Sequence, residues 1–486
     1  MTSKQPAVAF LSLQNSLIEF GIRYVSAACR REGIRSEIVF CLRDSGLKET
    51  AGQCEAVARW IAAEGFHAAG IGLMSLHVSR AVALTRAIHD IANVPVIWGG
   101  IHPILDPDAC LEHADYVCLG DGERAVPEWV RCLANGLSVE GIDNIRQRGG
   151  STNRTLLEDL DAIPYPDYDI DHHHLLDGTI VRRLTLQDMR SRFPWNLGRH
   201  FVISSRGCPH ECAYCCNSAL RKLFGQSHAL RTRSVGNFMG EIDAIRDRYP
   251  FVNTFAIMDD SFFFKPGRWI DEFCEAFART GCAFGCLIHP SSVTVERMDK
   301  LVRAGLIGVQ MGLQSGSQRV TREVFHRHGT VEEFVRAAGV LDQYMDRLQA
   351  RTYDVIVDNP YETDSEQEDT IRVLMSLNKP FNLDIFSLTF FPGTGLHDRR
   401  LREGYPESSM RADDRDTLGY RPTYLNRLTW LTHLISPRRI RFFLSIRKTW
   451  YGPIVFFLYD RAWHNGLRAW LRRLKRAFGS AMGRAG

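Results

Sequence analysis

The residues best placed to do chemistry are three cysteines in one short stretch. Cys208, Cys212 and Cys215 are spaced C-x3-C-x2-C within Ser204-Ser205-Arg206-Gly207-Cys208-Pro209-His210-Glu211-Cys212-Ala213-Tyr214-Cys215-Cys216-Asn217. They follow the apolar run Phe201-Val202-Ile203, so a strand turning at Gly-Cys-Pro delivers the sulfurs to its C-terminal end, where α/β proteins build their sites. Three thiolates on one loop can hold three irons of a cubane cluster and leave the fourth open, unlike a four-cysteine electron-transfer site. The same loop could instead wrap a structural zinc ion, with His210 or Cys216 as fourth ligand.

Such a loop needs a scaffold, and the apolar periodicity supplies one. In the second half, strands are expected at Phe201–Ser204, Thr254–Met258, Ala283–Ile288, Gly308–Leu313, Thr352–Val357 and Asp384–Phe390, with helical patterns between them. Chemistry in a barrel of parallel strands sits at the strand C-terminal ends. In the first half, strands at Ala7–Leu11, Glu37–Cys41, Ala68–Leu73, Val94–Trp98 and Tyr116–Leu119 alternate with helices, the pattern of a parallel sheet covered on both faces. Two glycine turns close strands there: Trp98-Gly99-Gly100-Ile101-His102-Pro103 and Gly120-Asp121-Gly122-Glu123.

At 486 residues the chain exceeds a single core, and 45% hydrophobic with 24% charged residues is an ordinary globular composition. The 13 cysteines are odd in number and scattered, as reduced thiols of a cytoplasmic protein would be. The N-terminus carries no signal-peptide core, and no apolar run is long enough to span a bilayer. Positive charge is confined to the end: Ser436–Gly486 holds twelve Lys or Arg against Asp460 alone, leaving the rest net acidic. A nucleic-acid partner is therefore not expected.

The cysteine loop resembles that of the radical S-adenosylmethionine superfamily. Cys208, Cys212 and Cys215 match the ligands of its [4Fe-4S] cluster, Tyr214 its aromatic residue before the third cysteine, and Asn217 its usual continuation. Further motifs follow in order at strand ends. Asp259-Asp260-Ser261-Phe262 matches the segment near the amino group of S-adenosylmethionine, although either carboxylate could merely cap the next helix. His289-Pro290 stands where relatives often carry an arginine for the cofactor carboxylate. Gly312-Leu313-Gln314-Ser315-Gly316-Ser317 matches the family's G-x-[EQ]-S-G-S, which implies that Gln314 and Ser315 meet ribose and carboxylate. In Tyr353–Thr363, Ile356 is implied to touch adenine and Glu362 to fix the loop, while Asp358 replaces a common glycine. Phe391-Pro392-Gly393-Thr394-Gly395-Leu396 matches the closing turn.

The two N-terminal glycine turns are similar to the G-G-x-H-P and G-[DE]-G-E motifs of the cobalamin-binding domain that precedes many such barrels. The resemblance thus implies cobalamin contacts at Gly99, Gly100, His102, Gly120, Gly122 and Glu123. No D-x-H-x-x-G loop is present, so cobalt is expected to lack a histidine ligand from this chain. The implied architecture is α/β: a Rossmann-like cobalamin-binding domain (1–140), a linker (141–195), a partial (β/α)6 radical SAM core (196–400) and a basic, aromatic-rich helical region (401–486). Within the linker, His172-His173-His174 reads as a solvated turn.

The implied activity is generation of a 5′-deoxyadenosyl radical that removes hydrogen from an unactivated carbon of a small or lipid-like substrate, followed by methyl delivery from cobalamin. An external electron donor such as flavodoxin or ferredoxin is implied as well. Cyclisation, rearrangement or oxidation without methylation is the enzymatic alternative. A non-catalytic iron–sulfur or zinc-binding interaction protein is the alternative from another class. In the tail, Trp463, Leu467, Trp470, Leu471, Leu474 and Phe478 share one helical face amid arginines. That face could pack on the barrel or lie in an anionic membrane surface.

Overall fold

The computed structural model describes residues 5–42, 50–192, 198–260, 262–406 and 419–461. Strand β1 (Ala7–Ser12) is buried along its whole length, as continuous apolar strands are when helices cover both faces of a sheet. Beside it lie β2 (Arg35–Phe40), β3 (Ala68–Gly72), β4 (Val96–Gly99) and β5 (Tyr116–Cys118), all parallel. Three more strands complete this sheet: β6 (Ile145–Gln147), β7 (His173–Asp177) and β8 (Ile180–Arg183). The order is β6-β5-β4-β3-β1-β2-β7-β8, with β6 and β8 as antiparallel edges.

Those last three strands lie where the sequence suggests a linker. The histidine run, expected as a solvated turn, instead enters the sheet. His174 Nε2 is 2.6 Å from Glu37 and its ring lies 4.8 Å from that of Trp60, while buried His173 meets Phe40 edge-on. These partners are more than a hundred residues away, so nothing local to the run reveals them.

The second sheet has six parallel strands, as expected: β9 (Arg199–Val202), β12 (Thr254–Ile257), β13 (Ala283–Ile288), β14 (Leu306–Gln314), β15 (Ala350–Val357) and β16 (Asn382–Ser387), side by side in that order. Between β9 and β12, the two-residue strands β10 (Ser205–Arg206) and β11 (Arg231–Thr232) pair antiparallel across the base of the cysteine loop. Helices outside the sheet begin at side-chain caps such as Thr330 and Thr363, each in a reciprocal capping box with Glu333 and Glu366. The shared core is aromatic, with Phe238, Phe262, Phe273, Phe277 and Phe284 buried together.

Beyond the barrel, helices Tyr424–Leu431 and Pro437–Ile446 pack through Leu425, Leu428, Ile440 and Phe443 on Ile371 of helix Asp364–Ser376. Asp358 anchors them. Its carboxylate accepts hydrogen bonds from Ser387 Oγ, the Arg421 backbone N–H and Asn426 Nδ2, at 2.8, 3.0 and 2.7 Å. The cost is a left-handed backbone, φ 58°, a conformation that glycine adopts without strain. The amphipathic stretch from Trp463 lies outside the described residues. No helix among the described residues is long and apolar enough to cross a membrane.

Replacing Asp358 with Ala removes three hydrogen bonds and keeps the strain, so a loss of about 3 kcal/mol is expected in denaturant unfolding. Asp358→Gly relieves the backbone and is expected to lose about 1 kcal/mol less.

Candidate active site

The cysteine loop is pinned at both ends and in its middle. At its start, Asp259 is wholly buried: Oδ1 accepts from the Ser204 and Ser205 backbone N–H groups at 2.6 and 3.0 Å, and Oδ2 accepts from Ser204 Oγ. Lys265, itself buried, completes the set with an ion pair to the same carboxylate. In the middle, Ala213 N–H donates to Phe325 O and Ala213 O accepts from Leu396 N–H, so the closing turn grips the loop directly. At its end, Asn217 Nδ2 lies 3.8 Å from Cys215 Sγ, while Asn217 Oδ1 is held by His228 Nε2 at 3.1 Å.

The thiols sit in an environment suited to a metal cluster. Burial pushes Cys208 up to about 12 and raises Cys212 as well, whereas a hydrogen bond from Cys216 lowers Cys215. Two of the three sulfurs therefore resist ionisation until a cation compensates the charge, which is how metal binding and thiol deprotonation are linked. Among the described residues no three His, Cys, Asp or Glu side chains converge on one ion-sized point. A single zinc would draw its sulfurs to about 2.3 Å from a common centre, whereas a cubane takes each sulfur at a separate iron.

The S-adenosylmethionine candidates divide into two groups. Tyr214, Gln314 and Ile356 line one hollow of about 210 Å³ with Phe386, Ser387, Leu388, Thr389 and Phe391. Gln314 follows a register shift in β14 and takes a left-handed φ of 67°; its buried Oε1 has no hydrogen-bond partner. An unsatisfied buried acceptor on a residue that borders a hollow is one that a bound ligand could satisfy after a side-chain rotation. Asp260 also stays available. Its carboxylate is reachable from the barrel mouth yet ringed by protein, and loss of hydration pushes it up to about 6 against a hydrogen bond from Asn217.

Asp259 and Ser315 depart from the expectation. The oxygens of Asp259 are consumed by the cysteine strand and Lys265. Ser315 is buried and donates to Glu362 Oε1 at 2.7 Å, so its hydroxyl stabilises the loop rather than facing the hollow. No arginine stands at His289-Pro290, but Arg327 lies near the loop and donates to Gly312 O at 3.0 Å and to Tyr214 Oη at 3.3 Å. Sequence reasoning missed it because it sits in a loop between motifs. Its only signal is the polar run His326-Arg327-His328 after an apolar stretch.

The N-terminal glycine turns border a separate cavity of about 380 Å³, lined by Gly70–Met74, Gly99–Ile101 and Gly120–Glu123. Gly100 has φ 103°, and a Cβ there would lie 2.8 Å from Leu73 O, so only glycine lets the turn sit this close to the neighbouring strand end. No histidine is in the cavity lining. His102 lies outside it, buried, with Nδ1 3.0 Å from Ser75 Oγ, a contact that secures the turn. Glu19 lines the cavity too, its carboxyl pushed up to about 7 by burial against a hydrogen bond from Ser12.

Glu123 reaches this cavity, but its charge is already employed. Arg206, two residues before Cys208, donates to Glu123 Oε1 at 2.5 Å and to Asp121 Oδ1 at 3.0 Å, and lies over the Tyr24 ring. Arg231 donates to the other oxygen of Asp121 at 2.6 Å. Arg206 and Ile203 themselves line the cavity, so the cysteine strand forms one of its walls.

The comparisons agree with this geometry. Residues 202–374 match the Radical SAM superfamily, and residues 6–130 match the B12 binding domain. The chain thus carries a Radical SAM domain preceded by a B12 binding domain. Its cofactor set is a [4Fe-4S] cluster, S-adenosylmethionine and cobalamin. A radical S-adenosylmethionine methyltransferase, TsrM from Kitasatospora setae, solved with cobalamin and a [4Fe-4S] cluster, has the same fold at TM-score 0.64 and 15% identity, over 82% of this chain and 75% of that one. An uncharacterized methyltransferase of Pyrococcus horikoshii is 26% identical over 63% of this chain and 62% of its own length. The anaerobic magnesium-protoporphyrin IX monomethyl ester cyclase of a Synechocystis species is 22% identical over 48% and 44%. The chain therefore spans less than two thirds of either curated relative.

Removing one partner from a buried ion pair leaves the other charge stranded. Arg206→Met and Glu123→Gln are each expected to lower stability by about 3 kcal/mol in denaturant unfolding, and the double variant by clearly less than the sum.

Proposed function

We propose that this chain is a radical SAM enzyme that methylates an unactivated carbon of a small or lipid-like substrate. The observation that carries the reading is the shared wall. Ile203 and Arg206 border the cobalamin-domain cavity, and the same strand runs on into Cys208. A carbon radical and a methyl carrier must meet at one atom, and a cobalamin-domain cavity walled by the cysteine strand supports that.

When bound, the cluster, S-adenosylmethionine and cobalamin supply reductive cleavage and methyl transfer. The residues of the chain bind, orient and shield. Cys208, Cys212 and Cys215 would hold the cluster. Gln314 would hydrogen-bond the nucleoside through its unpartnered Oε1, and Ile356 would pack on adenine. Arg327, the cation beside Tyr214, would face the carboxylate of S-adenosylmethionine, and Asp260 its amino group. Gly99, Gly100, Gly120 and Gly122 would let backbone approach the corrin closely. Apolar walls at Phe386, Leu388 and Phe391 would keep water from a reactive radical.

Anaerobic reconstitution is expected to give about four irons per chain, and Cys208→Ala, Cys212→Ala and Cys215→Ala to lose the cluster and cleavage of S-adenosylmethionine. Cleavage retained in any of these variants would refute the reading. Once a substrate is found among genomic neighbours, its product is expected to be heavier by one CH₂ unit in mass spectrometry. An unchanged carbon count would favour cyclisation or oxidation, the reading that the cyclase relative supports.

A further inference from the structure

Two short helices close the described chain, Pro437–Ile446 and 452–461. Their inner side is accounted for: Ile440, Phe443, Ile446 and Phe456 are buried in the cluster around Ile371. A surface helix normally turns polar residues to water on its other side. Here it does not. Ile454, Val455, Phe457 and Leu458 are exposed on the second helix, Trp450 just before it is 85% exposed, and Phe442 on the first is 52% exposed. Large apolar side chains gathered in one place on the surface mark a contact yet to be made.

The surroundings of the patch say what kind. Arg438, Arg439, Arg441, Lys448 and Arg461 are all exposed. The single acid between Ser436 and Gly486, Asp460, is buried in an ion pair with Arg427 and neutralised there. The sequence after Arg461 adds six more Lys or Arg and no acid. A second copy of this chain would bring the same cationic rim against itself, which disfavours self-association. An apolar, aromatic face framed by cations is complementary to a surface that is oily beneath and negatively charged above.

We propose that the face formed by Phe442, Trp450, Ile454, Val455, Phe457 and Leu458 is an interfacial membrane-binding surface whose partner is an anionic lipid bilayer. The apolar side chains enter the headgroup–acyl boundary, and Trp450 settles at the headgroup level, where amphipathic rings are favoured. The arginines and Lys448 reach the anionic headgroups. The surface is independent of the proposed methylation and needs no cofactor.

The test is sedimentation of the full chain with extruded vesicles, either phosphatidylcholine alone or with about one third phosphatidylglycerol. Binding is expected to the anionic vesicles and to weaken with salt. Ile454→Ser with Leu458→Ser is expected to cut partitioning by about tenfold while the thermal unfolding curve stays in place. Replacing Arg438, Arg441 and Lys448 with Gln is expected to reduce the preference for anionic over neutral vesicles. Failure of the full chain to bind either vesicle would overturn the proposal, as would equal binding to both. A dimer in size-exclusion chromatography that the Ile454→Ser, Leu458→Ser variant dissociates, without vesicle binding, would assign the face to a second copy. Binding that emerges only after removal of residues 462–486 would assign it to that segment.

Discussion

Arg206 is withdrawn from bulk water between two carboxylates, Asp121 and Glu123, that belong to the other half of the molecule. Taking three charges out of water is expensive, and their mutual attraction repays it only when geometry is tight and remaining donors are satisfied. The geometry here is tight: Arg231 takes the free oxygen of Asp121 and the Tyr24 ring covers the Arg206 guanidinium. Arg206 and Arg231 are register partners in the β10–β11 pair, so the acids of one turn grip both strands at the base of the cysteine loop. The loop cannot shift relative to the N-terminal cavity without stranding a charge. The cysteine strand is thereby tied by electrostatics to the turn that borders the N-terminal cavity.

Inside the barrel the same economy recurs between neighbouring residues. Successive side chains leaving a strand point to opposite sides, and each motif divides its work accordingly. Of Asp259 and Asp260, the first is consumed in holding the cysteine strand and the second opens to the mouth. Of Gln314 and Ser315, the first borders the hollow with an unsatisfied oxygen and the second secures Glu362. A motif of two polar residues is thus one ligand group and one brace. That is why both types appear together and why neither can be exchanged without loss of the other's geometry.

Much of this was legible in the chain. The strands showed as short apolar runs, and the cysteine spacing together with strand-end motifs in the right order identified the catalytic half. What stayed hidden is what depends on distant partners. Arg206 and Asp121 are separated by 85 residues, Arg231 and Asp121 by 110, and no local pattern distinguishes such charges from solvated ones. His102 reads as part of a ligand turn, and only the packed structure gives its ring to Ser75. The division between Asp259 and Asp260 depends on which one meets the Ser204 backbone, a fact of tertiary packing. Arg327 is joined to Tyr214 and Gly312 only by the packing of segments far apart in sequence.

The placement of β7 and β8 carries a practical corollary. After helix Gly122–Ala134 the chain rejoins the first sheet at one edge as β6, and after an extended stretch joins it again beside β2 at His173. The first sheet is therefore not an autonomous module ending where similarity to the B12 binding domain stops at residue 130. A fragment cut there would expose β2 as a raw edge and strip His173 and His174 from Phe40, Trp60 and Glu37. The smallest excisable unit runs through helix Leu186–Arg192, nearly to the first barrel strand. The two halves are threaded together as well as clamped, and neither could readily have been traded away alone.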